Sequence, residues 1–210
     1  MVYVLDGLLS ITSGQMVQAK SLVTQQRREQ AERCRFESDR VQSIFSFLLL
    51  QYGIKEVYGI EEELHLDYCG GKPALMGKHM PHFNLSHCKL SAACALSDRP
   101  VGVDVQDWNQ RHLAVARRAC TPEELALVEG ASDPVVEFAK LWTRKESYGK
   151  FTGQGICYPL KEENLANRSP AGTVMETFLF DGYALSYCAK EKMGIRRVTV
   201  DDLLCGRKNK

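Results

Sequence analysis

The period of the apolar positions changes several times along the chain. Residues 2–9 alternate weakly between apolar and small side chains and predict a first strand. From about Ser21 to Tyr52 the spacing is helical, charged through Arg40 and apolar through Leu50, with Gly53 as the expected stop. The charged part, RREQAERCRFESDR, reads as a solvated helix face. Gly70-Gly71-Lys72-Pro73 predicts a turn, and a second is expected near Met80-Pro81. Strand-like runs follow at His82–Ser86 and Ala92–Leu96, and after the loop 97–100 a third strand is expected at Val101–Val105.

Helices dominate the next stretch. Thr121-Pro122-Glu123-Glu124 carries an N-cap threonine, a proline at the first helical position and a glutamate placed to close a capping box. Gly130 ends that helix, and Asp133-Pro134 starts another that runs to about Lys150, before the Gly153/Gly155 loop. A hairpin is expected at Val174–Phe180 and Tyr183–Ala189 around Asp181-Gly182. The segments FNLSHCKLSAACAL, from Phe83, and FLFDGYALSYCA, from Phe178, share apolar spacing, and each follows a helical region. That likeness suggests duplicated α+β halves joined near residue 102.

Composition narrows the class. With 210 residues, 44% apolar and 25% charged, the chain can bury a core without metals or disulfides. A net charge of +1 argues against a dedicated nucleic-acid or anionic-membrane surface, so a bound anion must be met by a local cluster. The apolar run Ile44–Leu50 is too short to span a bilayer. No pair among the eight cysteines has C-x-x-C spacing, and MVYVLDGLLS lacks the basic segment and apolar run of a secretory signal. The expectation is a cytoplasmic protein with reduced, buried thiols.

Four short segments hold candidate chemistry. In VGVDVQDW, Val101, Val103 and Val105 share one strand face, and Gly102, Asp104 and Gln106 the other. Asp104 could simply face solvent. In FAKLWTRKESYGK, Trp142, Glu146 and Lys150 fall at i, i+4 and i+8, one stripe of a helix, beside Lys145. This stripe could be a surface ion pair with Trp142 in the core, or a metal-ligating Glu146 among phosphate-binding lysines. GKP at 71–73 and HFNLSH at 82–87 complete the set, although a lone Ser-His is usually structural.

In order, RRE near residue 27, GKP, HFNLSH, VGVD and FAKLWTRKES followed by Lys150 and GQG resemble the Sfp-type (surfactin-type) 4′-phosphopantetheinyl transferases. The resemblance runs from about residue 20 to the C-terminal hairpin, and G-V-D with W-x-x-K-E-S-x-x-x-K is its most specific part. It implies an α+β fold of two similar lobes, residues 1–102 and 103–210, forming an intramolecular pseudodimer with coenzyme A and Mg²⁺ in the cleft. The implied reaction transfers 4′-phosphopantetheine from coenzyme A to a serine of an apo-acyl or peptidyl carrier protein, releasing 3′,5′-adenosine bisphosphate. A cytoplasmic monomer with no nucleic-acid or membrane partner is expected.

Residue by residue, Asp104 and Glu146 match the family's metal-binding acids, with Glu146 the candidate base, directly or through a metal-bound water. Lys145 and Lys150 match basic residues near the pyrophosphate and reacting centre. Ser86 and His87 match the nucleotide-contacting pair, with His87 expected near the 3′-phosphate. Lys72 and Arg27 match cationic contacts to the nucleotide end, and Ser43 falls where the family offers a threonine hydroxyl. Gln106 stands where many relatives have a third metal-binding acid, and would reach the metal through a water. Gln30 stands where some have a second N-terminal lysine. The rival readings are a non-catalytic coenzyme- or carrier-binding relative, which Gln106 would favour, and a metal-dependent nuclease. The nuclease pattern places its lysine two residues after the second acid; here lysine is adjacent to Glu146 or four residues on.

Overall fold

The computed structural model describes residues 1–68, 72–154, 159 and 161–205, with the side chains of 110–112 set aside. In chain order the elements are β1 (Val2–Asp6), α1 (Ser13–Leu22), α2 (Gln25–Glu32), α3 (Glu37–Tyr58), β2 (Leu66–Asp67), β3 (Ala74–Leu75), β4 (His82–His87) and β5 (Ser91–Ser97). Then come β6 (Gly102–Asp107), α4 (Ala116–Ala119), α5 (Pro122–Gly130), α6 (Pro134–Thr152), β7 (Val174–Leu179), β8 (Tyr183–Ala189), β9 (Ile195–Val198) and α7 (Val200–Cys205). Short 3₁₀ turns lie at Leu8–Ser10 and Gln110–Val115. The chain is α+β.

Contacts divide it into two compact units, Met1–Asp98 with Gly194–Lys210, and Arg99–Met193. The sequence places a boundary at 102/103 and keeps the C-terminus in the second half. The structure returns the last segment to the first unit because β9 pairs in parallel with β1, Val2 opposite Ile195 and Leu5 opposite Val198.

In the first unit the sheet order is β4-β5-β1-β9, with β1 antiparallel to β5. Helix α3 lays Phe45, Leu49 and Ile54 into one core with Tyr3, Leu5, Phe83 and Leu96. Each such side chain contributes about 1.5–3 kcal/mol of burial. Gly53 does not stop this helix. A β-carbon there would lie 2.6 Å from Leu96 Cδ1 and 2.9 Å from the Tyr3 ring, so the glycine is what lets α3 lie close on the sheet. The stop is Gly59, in the left-handed region at φ 66.

The expected single helix from Ser21 is three. Thr24 breaks it by capping α2, its side chain accepting from the Arg27 amide, and the chain turns again before α3. The predicted first strand is likewise shorter, ending at Asp6. Of the turn at 70–73, Gly70 and Gly71 lie outside the described residues, as does Gly155 of the GQG loop.

The second unit has the sheet order β6-β8-β7, with Asp104 opposite Ser186. The capping box at Thr121 and Glu124 forms as the sequence predicts. Asp133 caps α6 by accepting from the amides of Val135 and Val136. Phe138 and Leu141 of α6 pack with Ala116, Ala119, Cys120 and Val128.

Among the described cysteines, Cys88, Cys94, Cys120 and Cys188 are buried, whereas Cys34 is half-buried and Cys205 exposed, and all are free thiols. No described helix is long and apolar enough to cross a membrane.

Candidate functional site

In the second unit the chemistry gathers where β6 meets α6. Alternation along β6 puts Gly102, Asp104 and Gln106 on one face. Gly102 has no room for a side chain: a β-carbon would stand 2.0 Å from the Ser147 carbonyl oxygen and 2.6 Å from the Phe151 amide nitrogen. Backbone therefore rests on backbone, which brings Asp104 beside the last turn of α6. Lys150 reaches it, with Nζ 2.6 Å from Asp104 Oδ1, and also donates to the Val103 carbonyl at 3.1 Å. Asp104 is 6% exposed, so the solvent-facing reading is excluded.

Glu146, one turn before Lys150, is half-buried. Burial pushes its carboxyl above the ordinary value, the Asp104 carboxylate pushes the same way, and Lys150 opposes both. The three charges are therefore neighbours. Lys150 forms its ion pair with Asp104, across the contact between strand and helix. Trp142, at the other end of the stripe, packs on Phe138 with ring centroids 5.9 Å apart.

The donor set suits a divalent cation that shares its shell with phosphate oxygens. Asp104 and Glu146 supply two carboxylates against one ammonium, and Mg²⁺ is commonly held by one or two carboxylates plus substrate phosphates. Among the described residues no group of three or more His, Cys, Asp or Glu side chains gathers to hold a metal ion. Gln106 adds no charge, and its amide donates to the backbone and side-chain oxygens of Asp107 at 3.2 and 3.1 Å.

Lys145 is placed differently from the expectation. It is fully buried, 2.8 Å from Glu124 Oε2, and donates to the Glu163 carbonyl at 2.8 Å. Glu124 also accepts from the amides of Thr121 and Leu165. Lys145, which the resemblance sets near the pyrophosphate, thus has its ammonium bonded inside the fold. Neighbouring α6 residues do similar work, with Arg144 bonded to the carbonyls of Leu165 and Arg168, and Thr143 to Ser186.

The first unit holds the remaining expected residues. A cavity of about 490 Å³ is lined by Arg27, Ser43 and His87, together with Gln30, Ser46 and Tyr68. Arg27 sits in the first turn of α2 and lies over the Phe47 ring, 4.7 Å from its centroid. It donates to Ser43 Oγ at 3.3 Å and to the Tyr68 hydroxyl at 3.1 Å, and burial lowers its pKa. Arg28 instead caps α1, donating to the carbonyls of Lys20 and Val23. Ser86 is buried, whereas Leu85 and His87 line the cavity, so strand alternation turns Ser86 to the opposite face. Lys72 is half-buried and outside the cavity lining.

Sequence reasoning missed Tyr68, Ser46 and Glu124 as members of these clusters. Only Glu124 carried a signal, its place in the capping box, and that signal predicted a helix start without a buried partner.

A profile of the 4′-phosphopantetheinyl transferase superfamily matches residues 100–196, the span that carries β6 and α6. The 4′-phosphopantetheinyl transferase psf-1 of Bacillus pumilus is 31% identical over 202 residues, 89% of this chain and 87% of that protein. The 4′-phosphopantetheinyl transferase gsp of Aneurinibacillus migulanus is 31% identical over 121 residues, 51% of each chain. The 4′-phosphopantetheinyl transferase Sfp of Bacillus subtilis (strain 168) is 26% identical over 146 residues, 67% of this chain and 64% of that protein.

Proposed function

The chain belongs to the 4′-phosphopantetheinyl transferase family, and we propose that its reaction centre is built from Asp104, Glu146 and Lys150. It transfers 4′-phosphopantetheine from coenzyme A to a carrier protein; the acceptor in this reading is a carrier serine. The observation that carries the assignment is the meeting of Lys150 with Asp104 at 2.6 Å, beside a Glu146 whose carboxyl is pushed up by burial and then by Asp104.

In the proposed step the serine Oγ–phosphorus bond forms as the bond to the adenosine bisphosphate oxygen breaks, and the serine proton passes to Glu146. Glu146 would take it directly or through a water, and its half-buried site beside Asp104 supports that role. Lys150, aligned by Asp104, offsets the charge growing on the leaving oxygen. Asp104 and Glu146 would hold Mg²⁺, with Gln106 touching its water shell; the ion when bound supplies charge neutralisation at the pyrophosphate. Arg27, Ser43 and His87 would receive the nucleotide end. The balanced charge supports the absence of nucleic-acid or membrane partners, and action as a cytoplasmic monomer belongs to the same reading. So does an origin in duplicated halves, supported by the β4–β5 and β7–β8 hairpins.

Intact-mass measurement of several apo-carriers after incubation with coenzyme A and Mg²⁺ tests the proposal. One carrier must gain the mass of a phosphopantetheine group, and the gain must vanish when its acceptor serine is replaced by alanine. No gain on any carrier would refute it.

A further inference from the structure

In the second unit a run of hydrogen bonds leaves α6 at Arg144, crosses β7 and β8, and returns to α6 at Thr143. Arg144 Nη1 lies 3.1 Å from Thr177 Oγ1, which lies 2.9 Å from Ser186 Oγ. Ser186 Oγ is 2.7 Å from Thr143 Oγ1, and that oxygen is 2.9 Å from the Lys140 carbonyl. Chemistry determines the direction. A guanidinium only donates, a carbonyl only accepts, and each hydroxyl has one proton. All four bonds form together only if Arg144 donates to Thr177, Thr177 to Ser186, Ser186 to Thr143, and Thr143 to the carbonyl. Thr143 and Ser186 are fully buried, Arg144 is buried and Thr177 is half-buried.

The two buried hydroxyls stand next to the proposed reaction centre. Ser186 lies opposite Asp104 in the β6–β8 pairing and on the same face, where β-carbons stand about 5 Å apart. Thr143 lies on α6 one turn before Glu146. The close approach of Gly102 to Ser147 fixes how near α6 comes to β6. Packing of that kind has no preferred direction, so it leaves the helix free to slide or roll. Hydrogen bonds weaken steeply when bent, and a buried hydroxyl that loses its partner finds no water to replace it. A fully satisfied polar run therefore admits one placement of the helix, where an apolar contact would admit several.

Resting on the reading of Asp104, Glu146 and Lys150 as the reaction centre, we propose that Thr143, Ser186 and Thr177 are positioning residues. Their run holds α6 at the register on the sheet at which Asp104 of β6 meets Lys150 and lies beside Glu146.

Two changes at one position test this. Thr143→Val keeps the volume and branching of the side chain and removes the hydroxyl; Thr143→Ser keeps the hydroxyl and removes a methyl group. Both should melt below the wild type, but only the valine variant should lose function. With coenzyme A and an apo-carrier its kcat should fall about 10- to 100-fold, the effect of misplaced reacting groups. The Mg²⁺ concentration for half-maximal rate should rise about tenfold, with KM for coenzyme A within about twofold of wild type. The serine variant should stay within about threefold of wild type in all three quantities. Ser186→Ala, which removes one oxygen, should follow the valine variant and replaces it if that variant does not fold. Activity that simply tracks melting temperature, a change confined to KM for coenzyme A, or wild-type rates in Thr143→Val or Ser186→Ala would overturn the proposal.

The contact of Lys150 with Asp104 gives a readout that needs no catalysis. In urea unfolding, a double-mutant cycle of Lys150→Met and Asp104→Asn should show coupling that survives beside Thr143→Ser and falls by roughly half or more beside Thr143→Val. Equal coupling in both backgrounds overturns the positioning role. A wild type that transfers nothing refutes the functional reading instead, and the cycle then decides the placement of the helix alone.

Discussion

Gly102 and Ser147 touch through their backbones: a β-carbon on Gly102 would lie 2.0 Å from the Ser147 carbonyl oxygen. That contact sets the distance between β6 and α6, and so the reach of Lys150 to Asp104 two residues further along the strand. Gly102→Ala must push the helix away. Overpacking of this kind costs about 1–3 kcal/mol, and a shift of about 1 Å at reacting groups can cost roughly 100-fold in rate. The expected outcome is a folded variant with a lower urea midpoint and turnover reduced by about two orders of magnitude. Turnover near that of the wild type would show that the close approach does not position the centre.

Asp104→Ala and Glu146→Ala should each remove most activity at saturating Mg²⁺ while preserving the fold, because each takes away a charge that the proposed cation needs. Lys150→Ala should lower kcat by roughly 100-fold or more, the usual cost of losing one preorganised charge-stabilising donor. Steady-state kinetics with circular dichroism checks all three. If Lys150→Ala changed only KM for coenzyme A, Lys150 would be a nucleotide contact; near-normal turnover in either acid variant would remove the metal assignment.

The raised pKa of Glu146 makes its charge unfavourable for folding. The folded state holds this proton more tightly than the unfolded chain, so the group's contribution to stability is fully present below the ordinary value of 4.5 and is lost as pH rises through the folded value. In a chelating buffer near neutral pH, Glu146→Gln should therefore melt at a higher temperature than the wild type. The gain should shrink as pH falls towards the ordinary carboxyl value. Adding Mg²⁺ should raise the wild-type melting point more than that of Glu146→Gln. A gain independent of pH would show that neither burial nor Asp104 perturbs this carboxyl.

What could be read in advance was local. The caps at Thr121 and Asp133, the alternation that puts Asp104 on the face of Gly102, and the β7–β8 hairpin all depend on residues within a turn or two of one another. Gly53 misled because its stop signal is local while its reason, the nearness of Leu96 and Tyr3, is tertiary. Strand β9 was invisible for the same reason: its partner β1 lies at the opposite end of the chain. Tyr68 and Ser46 carry no period and no motif, and only the cavity they line gives them meaning. Lys145 and Lys150 look equivalent in sequence, yet one is buried on Glu124 and the other meets Asp104.

That difference makes the Lys145–Glu124 pair the sharpest energetic test. Both side chains are 0% exposed, and their remaining polar atoms meet the Glu163 carbonyl and the amides of Thr121 and Leu165. Removing one partner strands a buried charge, which costs about 3–5 kcal/mol, whereas replacing both by apolar side chains of similar size is often neutral or better. Lys145→Met and Glu124→Leu should each lower the urea midpoint sharply, and the double variant should recover much of the loss. The double variant still leaves the Thr121 and Leu165 amides without the Glu124 acceptor, so recovery should stop short of wild type by roughly 1–3 kcal/mol. Additive losses in the double variant would mean that the ammonium and carboxylate do not depend on each other. If Lys145→Met instead folded with wild-type stability and raised KM for coenzyme A, the lysine would return to the ligand site from which its burial removes it.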